Sequence, residues 1–493
     1  MRSSHVNVKH LGVIAITLAL GGAPASPARA DATPPWPGTD DPVLEQLVTE
    51  TLANRPEVKQ AEAAARADRE RVPQASALPD PMLSLGIQND GFDGIMIGEM
   101  ETSFYSIGLS QGLYWPGKRS LRGKVAKLGV RQSEAATARE RLSAEAEVRR
   151  AYVDLLLVRG QLALLEKLET LWRESEKLAK ARYEVGEGPQ SDMLRAQLER
   201  SRLRQQRYTL EAAERTRVQR LNRLRVRPLS EPIPTGKKIV EVRDPAIPAF
   251  QAAVADAEER SPELALARAE VEQSARQVDL ARKERYPDFS LNAGVMPRGQ
   301  LDPMWQVGIS VNLPVWSGRK QQRAVAESVD RREASSEGAE AIRQIIRLRT
   351  QERLSLLDAA TQTSQLYRSG LLVQSEATVS STLAQYQVGR VPFASVLEAL
   401  GGWIADQDGY LGSIAQAQQL AIAQAEVSLD PPPGAESGMG NGGGSGMSGT
   451  TKSAGMGGSR GAPGGGMSLG GMSLGPGAQS GAAPAAPARG GGM

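Results

Sequence analysis

The chain has 493 residues, no cysteine and only two histidines, His5 and His10, and its 59 basic and 56 acidic side chains leave a net charge of +3. Disulfide stapling and cysteine chemistry are excluded, histidine catalysis is excluded from everything beyond the first few residues, and charge interspersed this evenly leaves no electrostatic footprint for nucleic acid. Aromatic residues are 4% of the chain, poor for an ordinary globular core but enough for thin helical walls packed on Leu, Val and Ala.

Residues 1–30 read as a secretory signal peptide. They carry basic Arg2 and Lys9, an apolar run from Leu11 to Ala23 and a small-residue end, Ala28-Arg29-Ala30, with cleavage expected before Asp31. No later segment offers about 18 uninterrupted apolar residues, so any membrane entry falls to strands. Residues 31–41 form a Pro-rich N-terminal arm.

A first structural repeat is expected over 42–226. It opens with a helix from about Pro42 to Ser76, bent near Arg55-Pro56 and stopped by Leu78-Pro79-Asp80-Pro81. Strands follow at about 82–90 and 104–114, where Leu83, Leu85, Ile87, Tyr105, Ile107 and Leu109 alternate with Ser, Gly and Gln. From Lys118 to about Val185 the chain is almost unbroken helix, a rod of roughly 100 Å at the α-helical rise. Gly186 supplies a left-handed C-terminal residue, and a returning helix runs from about Asp192 to Arg225.

Residues 227–248, with several prolines, form a linker at an equatorial belt. A second repeat over 249–428 then restates the first, with strands at about 288–296 and 305–314, an equally long rod from Arg319 to Val388, a turn at Gly389 and a return from Phe393 to Val427. Four echoes keep their order. Arg55-Pro56-Glu57-Val58 returns as Ser261-Pro262-Glu263-Leu264, the Pro79-Asp80 strand start as Pro287-Asp288, the Trp115-Pro116-Gly117-Lys118 strand exit as Trp316-Ser317-Gly318-Arg319, and Tyr183-Glu184-Val185-Gly186 as Tyr386-Gln387-Val388-Gly389. The tail, 429–493, is rich in Gly, Ser, Ala and Pro and is expected to be disordered.

The fold class that follows is mainly α with a small β part, internally duplicated, with long coiled-coil-like hairpins and four membrane strands per chain. Four strands cannot close a barrel, so lipid demands several copies, and three would enclose a lumen lined by the Ser, Gly, Asn and Gln faces. Phe104, Tyr105, Tyr114, Trp115, Trp305 and Trp316 at the strand ends suit an aromatic girdle.

On these echoes, over about residues 42–428, the chain resembles the TolC family of outer-membrane efflux proteins. The Leu-Pro-Asp-Pro-Met-Leu segment, with Met96 and Met100 in the loop beyond it, also looks like the heavy-metal branch, which works with copper-silver or cobalt-zinc-cadmium exporters. The resemblance implies a homotrimer with a twelve-stranded barrel in outer-membrane lipid and a twelve-helix tunnel in the periplasm. It implies docking to a periplasmic adaptor and an inner-membrane pump, of the resistance-nodulation-division type, with no cofactor and no enzymatic activity. A competing reading is a non-transporting, periplasm-spanning interaction or adaptor protein.

Tunnels of this family narrow at the tips of the long hairpins, where acids follow the Val-Gly turn. Here the matching positions are Ser395 and Glu398 after Gly389, and Asp192 after Gly186. They read either as a carboxylate ring that attracts cations or as ordinary acids at a helix N-terminus. In the tail, Met439, Met447, Met456, Met467 and Met472 are weak soft-metal candidates, because thioethers suit Cu(I) and Ag(I); a flexible low-complexity extension is the other reading.

Overall fold

The computed structural model describes residue 36 and residues 41–92 and 94–432. The expected signal peptide, most of the arm and all five tail methionines named above lie outside the described residues. Within them the chain is mainly helical with one small sheet.

A side-chain cap fixes one helix start in each repeat. The Asp41 carboxylate accepts the Val43 N–H at 3.0 Å, Pro42 takes the first helical position, and α1 runs Pro42–Asn54 before Pro56 restarts the chain as α2, Pro56–Ser76. The echo is α5, Phe250–Arg260, and α6, Pro262–Lys283, where the Ser261 hydroxyl accepts the Leu264 N–H at 3.1 Å. Each repeat then enters the sheet through β1 (Met82–Gln88) and β2 (Phe104–Leu113), or β3 (Asp288–Arg298) and β4 (Leu301–Asn312). All pairs are antiparallel and the strand order is β1-β2-β3-β4, so the repeats join through β2 and β3 while β1 and β4 are edges.

The first rod is a single helix, α3, Lys118–Glu184, 67 residues long and about 100 Å by its rise. Its return is α4, Gln190–Leu224. The second rod is not the unbroken counterpart that its sequence predicts. It runs as α7 (Gln321–Leu366), a π-helical turn (Tyr367–Leu371) and α8 (Leu372–Gln387), before returning as α9, Phe393–Glu426. Tyr367 occupies the space that Gly409 leaves open, where a Cβ would collide with its hydroxyl, and its ring sits 6.4 Å from that of Tyr410. The sequence does carry a mark there, the Ser369-Gly370 pair inside the turn, in a rod that otherwise reads as continuous helix.

Four buried apolar clusters among the described residues hold the helices together, and two of them are large. At mid-rod, Tyr152, Leu155 and Leu156 of α3 pack with Leu44 and Val48 of α1, Leu221 of α4 and Ile414 of α9. The linker joins them, with Ile233 and Ile239 buried there, and the Asn222 amide donates to the Leu229 and Glu231 carbonyls at 3.0 and 2.8 Å. A second core lies nearer the tips, where Leu168 and Trp172 meet Phe393, Val396 and Leu400. Beyond α9, buried Arg353 donates to the carbonyls of Ser428 and Asp430, fixing the segment that follows the last helix.

Candidate functional site

The sheet sorts its side chains by face. Reading across the register, Leu85, Ile107, Val295 and Trp305 form one row and Leu83, Leu109, Ala293 and Val307 the next. The opposite face carries Ser84, Gly108, Gly294 and Gln306 in one row and Met82, Ser110, Asn292 and Gly308 in another. The apolar face is open, with Trp305 76% exposed and Leu85 74% exposed. Large apolar side chains at that exposure, flanked by none of the buried cores, suit lipid, and the Ser/Gly/Asn/Gln face suits water. Among the described residues no helix is long and apolar enough to cross a membrane.

Where the sheet meets the helices, the exit of the first repeat grips the start of the second. Lys118, 1% exposed, donates to the Tyr286 carbonyl at 2.9 Å and lies 3.0 Å from Asp288 and 3.1 Å from Glu284. The Trp115 N–H donates to the same Asp288 oxygen at 2.9 Å, and the Trp115 and Tyr286 rings stack at 5.1 Å. The corresponding groups at the other end are open. Trp316 is 69% exposed, and Arg319 and Asp80, the counterparts of Lys118 and Asp288, are exposed as well.

The two tips close with the same backbone motif. Gly186 adopts φ 79° and Gly389 φ 74°, and the N–H groups of Glu187 and Arg390 reach back to the carbonyls of Arg182 and Gln385 at 2.8 and 2.9 Å. Glycine is required because the left-handed conformation strains any Cβ. Pro189 and Pro392 then precede the returning helices.

Side chains at the tips differ. Tyr386 is buried, packs its ring 5.3 Å from that of Phe393, and donates its hydroxyl to Asp192 at 3.2 Å, bridging the two hairpins. The Arg182 guanidinium lies 4.9 Å from the Tyr386 ring and donates to the Tyr386 carbonyl and, at 3.1 Å, to that of Glu187. Burial and the neighbouring Asp192 carboxylate push the Tyr386 hydroxyl up to about 12. Tyr183, its counterpart, is 44% exposed.

Of the predicted constriction residues, Glu398 is exposed, Ser395 half-buried and Asp192 buried. In this chain Asp192 therefore ties the hairpins rather than facing solvent. Arg182 and Tyr386 were missed as partners, and the signal available was that repeat one has Arg where repeat two has Gln385. Among the described residues no group of three or more His, Cys, Asp or Glu is placed to hold a metal ion.

Known proteins share this pattern. A sequence profile described as outer membrane efflux protein matches residues 47–226 and 253–429, the two repeats. Nodulation protein T of Rhizobium leguminosarum bv. trifolii is 26% identical over a 298-residue alignment that covers 57% of this chain and 61% of that protein. This chain thus spans less than two thirds of the length of that relative. The nickel and cobalt resistance protein CnrC of Cupriavidus metallidurans is 27% identical over 328 residues, 65% of this chain and 72% of that protein. Among solved structures, the transmembrane channel CusC has a TM-score of 0.67 at 16% identity, covering 78% of this chain and 92% of its own, a likeness of fold.

Proposed function

The chain belongs to the outer membrane efflux protein family, and from that premise we propose that it is the passive exit duct of a tripartite efflux system. Three copies close a twelve-stranded barrel in the outer membrane, continued by a twelve-helix tunnel in the periplasm. A periplasmic adaptor and an inner-membrane pump of the resistance-nodulation-division type deliver the cargo, and likeness to CnrC supports heavy-metal ions as that cargo. The family is one of efflux proteins, which leaves no place for an enzyme or for a non-transporting adaptor.

One observation carries the assembly: three contacts that join repeat one to repeat two inside the chain, one in the sheet, one below it and one at the tips, have open counterparts at its outer edges. Strands β2 and β3 are paired while β1 and β4 are edges. Lys118 meets Asp288 while Arg319 and Asp80 are open, and Tyr386 meets Asp192 while Tyr183 is exposed. Identical copies set around an axis would satisfy all three levels at once, as closed symmetry requires. Glu398, repeated three times near the tips beside Ser395, would then form the cation-attracting constriction.

The duct reading predicts heat-modifiable trimers in outer-membrane fractions and stepwise conductance in planar bilayers. A Glu398→Ala channel should lose cation preference by a few-fold. Monomers soluble without detergent would overturn the reading, and unchanged selectivity would remove the ring alone.

A further inference from the structure

We infer that the loop end of the sheet is a binding site for a soft monovalent cation, Cu(I) or Ag(I), held by the thioethers of Met96, Met100, Met296 and Met304. Among the described residues methionine occurs at positions 82, 96, 100, 193, 296 and 304, so four of the six fall at this one end. Packing does not explain the cluster, because none of the four belongs to any buried core or is packed against one.

The backbone brings the loop ends of two hairpins together, with Met96 and Met100 in the loop of one and Met296 and Met304 in the strands of the other. Met296 and Met304 are directly opposed in the β3–β4 register, one position along from the Val295–Trp305 pair. Alternation therefore puts both methionines on the face that carries Gln306, away from the exposed apolar rows. Directly opposed side chains have Cβ atoms about 5 Å apart, which lets two flexible thioethers reach one ion.

The β1–β2 loop is pinned against this turn. A Cβ on Gly299 would lie 2.9 Å from the Gly98 Cα, and both glycines have positive φ, 65° and 95°. Arg298 donates to the Glu101 carbonyl at 3.4 Å. Within the loop the Asn89 side chain accepts the Met96 N–H at 2.7 Å, and the Met100 N–H returns to the Met96 carbonyl at 3.0 Å. Met96 and Met100 thus flank the glycine that touches the β3–β4 turn.

Thioether sulfur is neutral and polarisable, and it selects soft ions over Ni(II) or Co(II), which prefer imidazole and carboxylate. Glu99, Glu101 and Asp302 nearby in sequence add negative potential without offering soft ligands. The site lies within a single chain and needs no assembly. It therefore stands or falls separately from the duct reading.

The test is site-resolved oxidation of the purified full-length protein in detergent. Hydrogen peroxide transfers one oxygen to each free thioether, giving the sulfoxide and water, whereas a sulfur bound to a cation has its lone pair engaged. With silver nitrate in chloride-free buffer, at a concentration that saturates the site, sulfoxide formation at Met96, Met100, Met296 and Met304 should slow by about tenfold, while Met82 and Met193 serve as internal controls. Nickel sulfate should protect none of them. In a Met296→Leu/Met304→Leu variant with unchanged circular dichroism, silver should no longer protect Met96 and Met100. Equal protection at Met193, no protection at all, or persistent protection of the loop pair in that variant would each overturn the proposal.

Discussion

Tyr183 and Tyr386 occupy the same place in two copies of one turn, yet one is exposed and the other is buried under its own chain. The same division separates Trp316 from Trp115, and Arg319 from Lys118. In each case the residue on the side where the repeats meet is satisfied, and its twin at the outer margin is not. Duplication thus supplies two corresponding sets of connectors, and chain connectivity consumes only one of them. The unused set tells more about function than the used one, because it specifies what must come next to it.

The largest expected effect falls on the satisfied side. Lys118→Ala leaves Asp288 and Glu284 facing a vacated, water-poor junction, and should cost about 2 to 3 kcal/mol, below the range for a fully buried pair because both carboxylates keep some water. A lowered melting temperature of the purified protein by circular dichroism checks this. On the open side, Asp80→Arg should weaken assembly by about 2 kcal/mol, read as loss of the slow-migrating oligomer on mild detergent gels. Adding Arg319→Asp should restore it. If the double variant is no better than the single, the two open groups do not meet.

The tips give a smaller contrast. Tyr386→Phe removes the donor to a buried carboxylate and should cost about 1 kcal/mol, seen as more frequent or larger single-channel openings. Tyr183→Phe should leave one isolated chain unaffected, so a matching change there would erase the distinction between the tips. The smallest effect is in alkali. The Tyr386 hydroxyl titrates above its ordinary value of about 10, so its tie is fully present below that pH and is lost as pH rises through about 12. Tyrosinate absorbance should lose one late-titrating component in Tyr386→Phe, while that of Tyr152, whose hydroxyl is pushed up by burial and its bond to Asp41, remains.

Much of this was legible from residue order alone. Strand faces were readable because a period of two puts Leu83, Leu85 and Ile87 on one side without reference to any partner. The rod ends were readable because Val-Gly followed three residues later by Pro encodes a left-handed stop and a restart. Asp192 was placed on its helix correctly but not in its surroundings. Spacing gives the phase of a side chain on its own helix, and the neighbour that covers it comes from a hairpin about 200 residues away. For the same reason identical Tyr-x-Val-Gly tetrapeptides could not reveal that only one of them is enclosed. Arg353, buried under the carbonyls after α9, looked like any other helical arginine until that segment was in place.

The π turn at Tyr367–Leu371 has a consequence for how the second hairpin tolerates editing. Taking one residue out of a regular α-helix swings everything beyond it through about 100°. In α3, or elsewhere in the second rod, such an excision would carry a tip out of alignment and separate Tyr386 from Asp192. A wide turn already holds one residue more than the helical pitch needs, so a deletion within Tyr367–Leu371 lets the coil tighten to normal pitch while the distal segment keeps its bearing. Shortening by a single codon is therefore survivable at one place along these rods, and the lone notch beside Gly409 marks it.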